Sequence, residues 1–311
     1  MTTIFAGWEP RHTEMFGRFT LKLAHRLHES DLFTDEALAR LIEGYPASHY
    51  NLHSMGSPDD PRFLWRRGLL GDCAGEDVIA GIRAGRLWLN LRRVHEVSEP
   101  YAKLLDGIFA EMEANVPGLH TFKHNFGILI SSPRAQVYYH ADIPGQALWQ
   151  IRGTKRIWIY PNAEPFLRER DIEGAILGVT EEEMPYHQWF DEHAEVHDLM
   201  PGEMLHWPLN GPHRVVNHDC MNVSVTTEHW TNEIRKTYAV RYANAVLRRA
   251  GWRSPSAGVS GPAVYAKAAL TMAHRKFLRP TPASADPVYD FTLDATSQGR
   301  MIDLPSAIAA E

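Results

Sequence analysis

The stretch Ala135-Gln-Val-Tyr-Tyr-His-Ala-Asp142, with Ala147-Leu-Trp-Gln-Ile-Arg-Gly-Thr-Lys-Arg-Ile-Trp-Ile-Tyr160 close behind it, decides the fold class. Its β-branched and aromatic residues come in short runs, and Arg152-Gly153 cuts the second run in two, which is the texture of strands joined by tight turns. The same texture extends from Thr121 to Trp230. Strands are expected over Phe126 to Ser131, Gln136 to His140, Ala147 to Ile151, Arg156 to Tyr160, Val196 to Leu199, Met204 to Trp207, Arg214 to Val216 and Asn222 to Thr226. Pro201-Gly202 and Asn210-Gly211-Pro212 supply further turns. Eight short strands in about 110 residues predict a mainly β protein built as a barrel or jelly roll.

Outward from this block the periodicity turns helical. Thr34 caps a predicted helix from Asp35 to Glu43, which Gly44 and Pro46 end. A second is expected from about Glu76, with Val78, Ile79 and Ile82 at helical spacing. Ser98-Glu99-Pro100 opens the longest, where Leu104, Leu105, Ile108, Phe109 and Met112 form one apolar stripe before Pro117-Gly118. Phe19 to Leu23 reads as extended, and Leu87 to Leu91 alternates like a strand. Residues 1–120 are therefore expected as mixed α/β, chiefly helical decoration packing on a barrel of residues 121–232. In the region 233–311 the helical pattern returns, with Tyr238, Tyr242 and Val246 on one face and later Tyr265, Ala269 and Met272. Ser254 to Pro262 reads as a linker and the last ~30 residues as irregular.

The 311 residues are 44% hydrophobic and 23% charged, which excludes disorder as the main state and suits one large domain or two small ones. No apolar run approaches the ~18 residues of a membrane span, and the opening MTTIFAGWEPRHTEMF lacks the layout of a secretory signal. The expected compartment is the cytoplasm. Cys73 and Cys220 are too few for a disulfide framework or a Cys-based zinc site, so any metal falls to carboxylates and the 17 histidines. The net charge of −6 is unevenly spread. Between Asn162 and Asp198 eleven Asp/Glu stand against Arg168 and Arg170, whereas Arg235 to Arg279 holds ten Lys/Arg and no acid. Solvated faces, pairing of the two blocks within or between subunits, and recognition of a charged substrate are all open readings.

Residues i and i+2 of a strand point the same way, so His140-Ala-Asp142 would present two metal ligands from one wall. A non-haem iron site needs two His and one carboxylate on one face, with the opposite face open. The His-x-acid pattern alone decides nothing. With 17 His and 38 acidic residues it should occur roughly twice by chance, and it recurs at His12-Thr-Glu14 and His193-Ala-Glu195. Context separates them: His12 lies in a polar segment and His193 in the acidic block, whereas His140 ends a strand. Pro201-Gly-Glu-Met-Leu-His-Trp-Pro-Leu-Asn-Gly-Pro-His213 then offers a third ligand through a turn, a strand, a Pro-bounded loop and a His opening the next strand. Alone, His213 would read as a hydrogen-bonded structural histidine.

Taken together, His140-x-Asp142, Gln150-Ile-Arg-Gly-Thr-Lys-Arg-Ile-Trp-Ile-Tyr-Pro161, Pro201-Gly-Glu-x-Leu-x-x-Pro208, His213 and the strand Asn222-Val-Ser-Val resemble the JmjC-type cupin oxygenases. The pattern is most like the asparagine-hydroxylase-like and small bacterial members, and it covers about residues 121–232. The resemblance implies a double-stranded β-helix, Fe(II) held by His140, Asp142 and His213, and 2-oxoglutarate as cosubstrate. It implies that Lys155 meets the distal carboxylate of 2-oxoglutarate, whose buried charge would be costly unpaired. It also makes Gln146 and Trp230 cosubstrate-binding positions. Departures are visible: Gln146 stands where the asparagine hydroxylase has an asparagine, Val137 replaces a threonine, and Glu228 replaces an asparagine two residues before the retained aromatic Trp230.

The reaction implied is that of a 2-oxoglutarate-dependent dioxygenase, hydroxylating a protein or peptide side chain or a small metabolite and releasing succinate and CO2. Demethylation through the same hydroxylation is a variant. A metal-dependent cupin enzyme not using 2-oxoglutarate would keep the triad without needing Lys155, and a non-catalytic cupin interaction module would need neither. The acidic block lies where such folds carry substrate-covering loops, which favours a basic or neutral substrate over nucleic acid. The basic C-terminal helices could attract an acidic partner or mediate a homodimer, as in related hydroxylases. Their aromatic residues read as packing rather than base stacking.

Overall fold

The computed structural model describes residues 3–55, 65–178, 184–253, 255–278, 288–294, 296 and 300–305. In chain order its strands are β1 Phe5–Ala6, β2 Leu21–His25, β3 Tyr50–Ser54, β4 Arg66–Leu69, β5 Leu87–Leu91, β6 Phe122–Ser131, β7 Gln136–His140, β8 Gly145–Arg152, β9 Lys155–Ile159, β10 Glu195–Leu199, β11 Glu203–His206, β12 His213–Asn217, β13 Asn222–Trp230, β14 Phe291–Asp294 and β15 Arg300–Asp303. The helices are α1 Pro10–Met15, α2 Asp35–Ile42, α3 Gly75–Ala84, α4 Val94–Val97, α5 Glu99–Asn115, α6 Glu169–Leu177, α7 Asn232–Arg249 and α8 Pro262–Phe277. All eight strands expected between Thr121 and Trp230 form, as β6 to β13.

Two sheets result, a larger one ordered β1-β2-β11-β8-β13-β6-β5-β3-β4-β14-β15 and a smaller one ordered β10-β9-β12-β7. Their facing sides build the jelly roll: Leu148 and Leu205 from the larger sheet meet Ile157, Ile159, Leu199 and Val215 from the smaller. Alternation sends the intervening residues the other way. Phe126, Ile128 and Ile130 of β6 and Ala147, Trp149 and Ile151 of β8 pack outward against Leu38 and Ile42 of α2, Val78 and Ile82 of α3, and Ile108 and Phe109 of α5. Both faces of the larger sheet are therefore covered at β6 and β8. The indole of fully buried Trp149 keeps its donor satisfied by giving it to Thr227 Oγ1 at 2.9 Å.

The outer face of the smaller sheet is closed differently. Tyr139 and Tyr160 pack against Leu167, Ile172, Ile176 and Phe190 of the acidic block and against Tyr242 and Ala245 of α7. Residues from Leu167 to Leu177 and from Met184 to Phe190 thus dock on this face and include an unanticipated helix, α6, with Ile172 and Ile176 one turn apart on its buried side.

The ends of the chain contribute more strand than their sequence suggested. β2 pairs with β11, placing Leu23 opposite Met204, and β5 pairs with β6, placing Leu89 opposite Ile130. The first 120 residues therefore extend the larger sheet instead of only covering it. Part of the tail read as irregular forms β14, which runs parallel to β4 with Phe291 beside Gly68. A glycine is needed there, since an added Cβ would lie 2.3 Å from the Phe291 ring. Among the described residues no helix is long and apolar enough to cross a membrane.

Candidate metal centre

β7 ends at His140 and β12 opens at His213, and antiparallel pairing sets these two residues directly opposite each other. Their rings lie 4.1 Å apart between centroids. Asp142 stands between them, with Oδ1 3.9 Å from His140 Nε2 and Oδ2 3.5 Å from His213 Nε2. One donor atom from each of the three falls within 4.8 Å of the others. Asp142 does not share a strand with His140, contrary to the alternation expected of His140-Ala-Asp142: β7 ends at His140 and Asp142 stands in the link 141–144.

The far nitrogens fix the chemistry of the near ones. His140 Nδ1 is 2.7 Å from the Tyr138 carbonyl and His213 Nδ1 is 3.0 Å from the Gly211 carbonyl. A carbonyl only accepts, so each Nδ1 carries the hydrogen and each Nε2 is left with its lone pair toward Asp142. Burial, aided by His140 nearby, pulls the His213 pKa down to about 4, so its ring is neutral near pH 7. Two imidazole Nε2 atoms and a carboxylate form a donor set that suits a divalent first-row metal.

These residues line one end of a cavity of about 390 Å³. Lys155 lines the same cavity from the start of β9, where ladder pairing puts it opposite Asn217, four residues along β12 from His213. About 13 Å of strand separates the two positions. Lys155 is 3% exposed, and no carboxylate among the described residues pairs with it. Burial lowers its pKa to about 7, with the Cys220 thiol opposing weakly. Asn217 beside it donates to Ser131 Oγ and the Ser132 carbonyl, both at 2.8 Å.

Gln146 and Glu228 also line the cavity and face each other across the β8–β13 ladder. Trp230 is not brought there. It packs on Tyr238 at 5.3 Å, with the Lys123 ammonium over its ring. The other walls include residues not singled out from sequence, among them Trp65, Trp88, Tyr138, Asn90 and Arg92. Trp88 and Asn90 were within reach of the alternation in Leu87–Leu91, whose three leucines are buried in the core and leave these two on the opposite face. Trp65, isolated beside residues outside the described set, carries no such signal.

The expectation of an acidic substrate cover is not met by the described part of the block. Among its described residues, none from 162–198 lines the cavity, because the apolar side of α6 docks the block on the outer face of the smaller sheet. Five of its eight described acids are absorbed by arginines: Glu169 pairs with Arg241, Asp171 with Arg168, Glu173 with Arg248, Asp191 with Arg214 and Asp198 with Arg156. Glu181, Glu182 and Glu183 lie outside the described residues.

Fold and site together define a class, the double-stranded β-helix with two histidines and a carboxylate at one end of its inner cavity and a buried lysine at the other. No protein-family model matches the sequence, and no curated protein matches it. Among solved structures, an X-ray structure of Escherichia coli ycfD is similar at a TM-score of 0.52 with 16% identity, over 90% of this chain and 70% of that one. A crystal structure of the Escherichia coli ribosomal oxygenase YcfD is similar at 0.50 with 17% identity, over 90% and 69%. The likeness is one of fold, and the fold is the double-stranded β-helix that the motif resemblance to the JmjC-type cupins led us to expect.

Proposed function

We propose that this chain is an Fe(II)- and 2-oxoglutarate-dependent oxygenase that hydroxylates a protein side chain. The observation that carries the reading is Lys155. Leaving an ammonium buried without an anion costs several kcal/mol, and a dicarboxylate entering the cavity would remove that cost. A metal cupin working without 2-oxoglutarate gives Lys155 no partner. The description of one similar structure as a ribosomal oxygenase supports a protein as substrate.

In this reading His140 and His213 hold the metal through Nε2 and Asp142 through its carboxylate. Bound iron and 2-oxoglutarate would activate dioxygen, the oxidant, one of whose atoms would go to succinate and the other to the substrate hydroxyl, with CO2 released. Lys155 pairs with the distal carboxylate of the cosubstrate, and the Gln146 amide can donate to it from the facing wall. Trp65, Trp88 and Tyr138, whose rings lie 5.1 to 6.0 Å apart in sequence around Trp65, form an apolar wall that orients the substrate and excludes water. We further infer a cytoplasmic location and a homodimer formed through the C-terminal helices.

Anaerobic addition of Fe(II) and 2-oxoglutarate should raise a weak visible charge-transfer band in the wild type. His140→Ala should abolish it, and Lys155→Ala should shift its half-saturation to much higher 2-oxoglutarate. Absence of the band in the wild type would defeat the proposal. Succinate release with protein and peptide candidates then addresses the substrate.

A further inference from the structure

We infer that Asn210, locked in place by Arg241 and Glu169, is a positioning residue for Asp142 and ties the metal centre to the docking of α7. The inference rests on the proposed metal-dependent function. Asp142 lies outside any ladder, so strand pairing does not hold its backbone. Asn210 does: its Nδ2 donates to the Asp142 carbonyl at 2.5 Å and to the Ile143 carbonyl at 3.3 Å. The residue is 4% exposed and sits at φ 60°, a left-handed conformation that asparagine tolerates better than most side chains. It precedes His213 by three residues, so one loop delivers one ligand and grips the backbone of another.

The amide cannot turn over. Its Oδ1 accepts from Arg241 Nη1, and a flip would set oxygen against two carbonyls and NH2 against a guanidinium. Arg241 is itself fixed by Glu169, with Nη2 and Nε donating to the two carboxylate oxygens at 3.0 and 3.2 Å. The chain Glu169, Arg241, Asn210, Asp142 thus runs from α6 through α7 to the metal donors. Partners that orient metal ligands from behind typically govern 10–100-fold in metal affinity.

The test is Co(II) binding to the full chain, followed by calorimetry and by the visible d–d spectrum, with thermal melts alongside. Asn210→Gly keeps the left-handed backbone and deletes the amide; Arg241→Met removes the lock. Both should weaken Co(II) binding about tenfold or more and alter the d–d bands. Arg248→Met, which breaks the neighbouring α6–α7 ion pair without touching Asn210, should melt earlier yet bind Co(II) like the wild type. Unchanged affinity and spectrum in Asn210→Gly would overturn the inference, as would equal weakening in Arg248→Met, which would make the effect one of helix docking alone. Should Asn210→Gly fail to fold, Arg241→Met carries the same comparison. A wild type that does not take Co(II) would remove the proposed function, and this inference with it.

Discussion

Lys155 makes the proposed cosubstrate site sensitive to pH in a definite direction. With its pKa pulled down to about 7 by burial, the empty cavity holds an ammonium below that pH and an increasing fraction of neutral amine above it. A carboxylate favours the charged form, so binding above pH 7 includes the work of protonating the lysine, about 1.4 kcal/mol for each pH unit. The 2-oxoglutarate dissociation constant should therefore be flat below about pH 7 and rise by up to tenfold per unit above it. Lys155→Met should bind weakly with no such slope. Isothermal titration at several pH values checks both, and a flat wild-type profile would show that Lys155 is not the partner. At this scale the meeting of His140, His213 and Lys155 on one cavity follows from ladder pairing, which turns sequence spacing into spatial order, whereas Asp142 lies beyond the end of β7 and owes its place to the link that follows. Trp230 was misread for an equally local reason. It closes β13 just before α7 and packs on Tyr238 of that helix, so the cavity receives only Glu228.

Among the elements, α6 and α7 are joined by an ion pair with a strongly uneven environment. Glu173 is 1% exposed at its side chain and Arg248 31%, and burial raises the Glu173 pKa against the opposing pull of Arg248. Removing the arginine alone strands a buried carboxylate, which costs about 3–5 kcal/mol when both partners are fully buried. Since Arg248 remains partly in water, Arg248→Met should cost roughly the lower end of that range. Glu173→Gln combined with Arg248→Met should recover most of it. Because a raised carboxyl pKa favours the protonated folded state, the deficit of Arg248→Met should be full near neutrality and shrink as pH falls and Glu173 protonates. Chemical denaturation of the two variants at neutral and mildly acidic pH reads this out; equal losses in both would refute it. The core strands were legible because their period of two is local. By contrast α6, spelled Glu169-Arg-Asp-Ile-Glu-Gly-Ala-Ile-Leu177, has the charge of a loop, and Ile172 is the one apolar residue of its first half to mark the buried side. β14 pairs locally with β15 and also runs parallel to β4, more than 200 residues away in the chain, a pairing that no local pattern reports.

For the whole molecule, the contrast between an acidic block and a basic one resolves partly within the chain, since Arg241 and Arg248 of α7 are spent on Glu169 and Glu173 of α6. The remaining basic residues have a different setting. Arg235, Lys236 and Arg275 rim a groove of about 780 Å³ between α7 and α8, together with Tyr238, Tyr265 and Met272. Tyr265 is 79% exposed and Met272 66%, one above the other on α8 with Ala268 between them. Burying such side chains against a second copy would be worth about 1.5–3 kcal/mol each, which favours the homodimer we propose. A two-fold interface also repeats every residue, so the three basic side chains would approach their own copies. That repulsion acts over a Debye length of about 10 Å at 0.1 M salt and is screened further as salt rises. The dimer is therefore expected to tighten with ionic strength, opposite to an interface held by ion pairs. Light scattering coupled to size exclusion should find the dimer fraction growing from low to high salt. The double variant Tyr265→Lys, Met272→Lys should stay monomeric throughout while keeping the wild-type circular dichroism spectrum, since both side chains are solvent-exposed in the single chain. A wild type that is monomeric at every salt concentration would exclude this interface, and a dimer that dissociates as salt is added would place the contact on a charge-paired surface elsewhere.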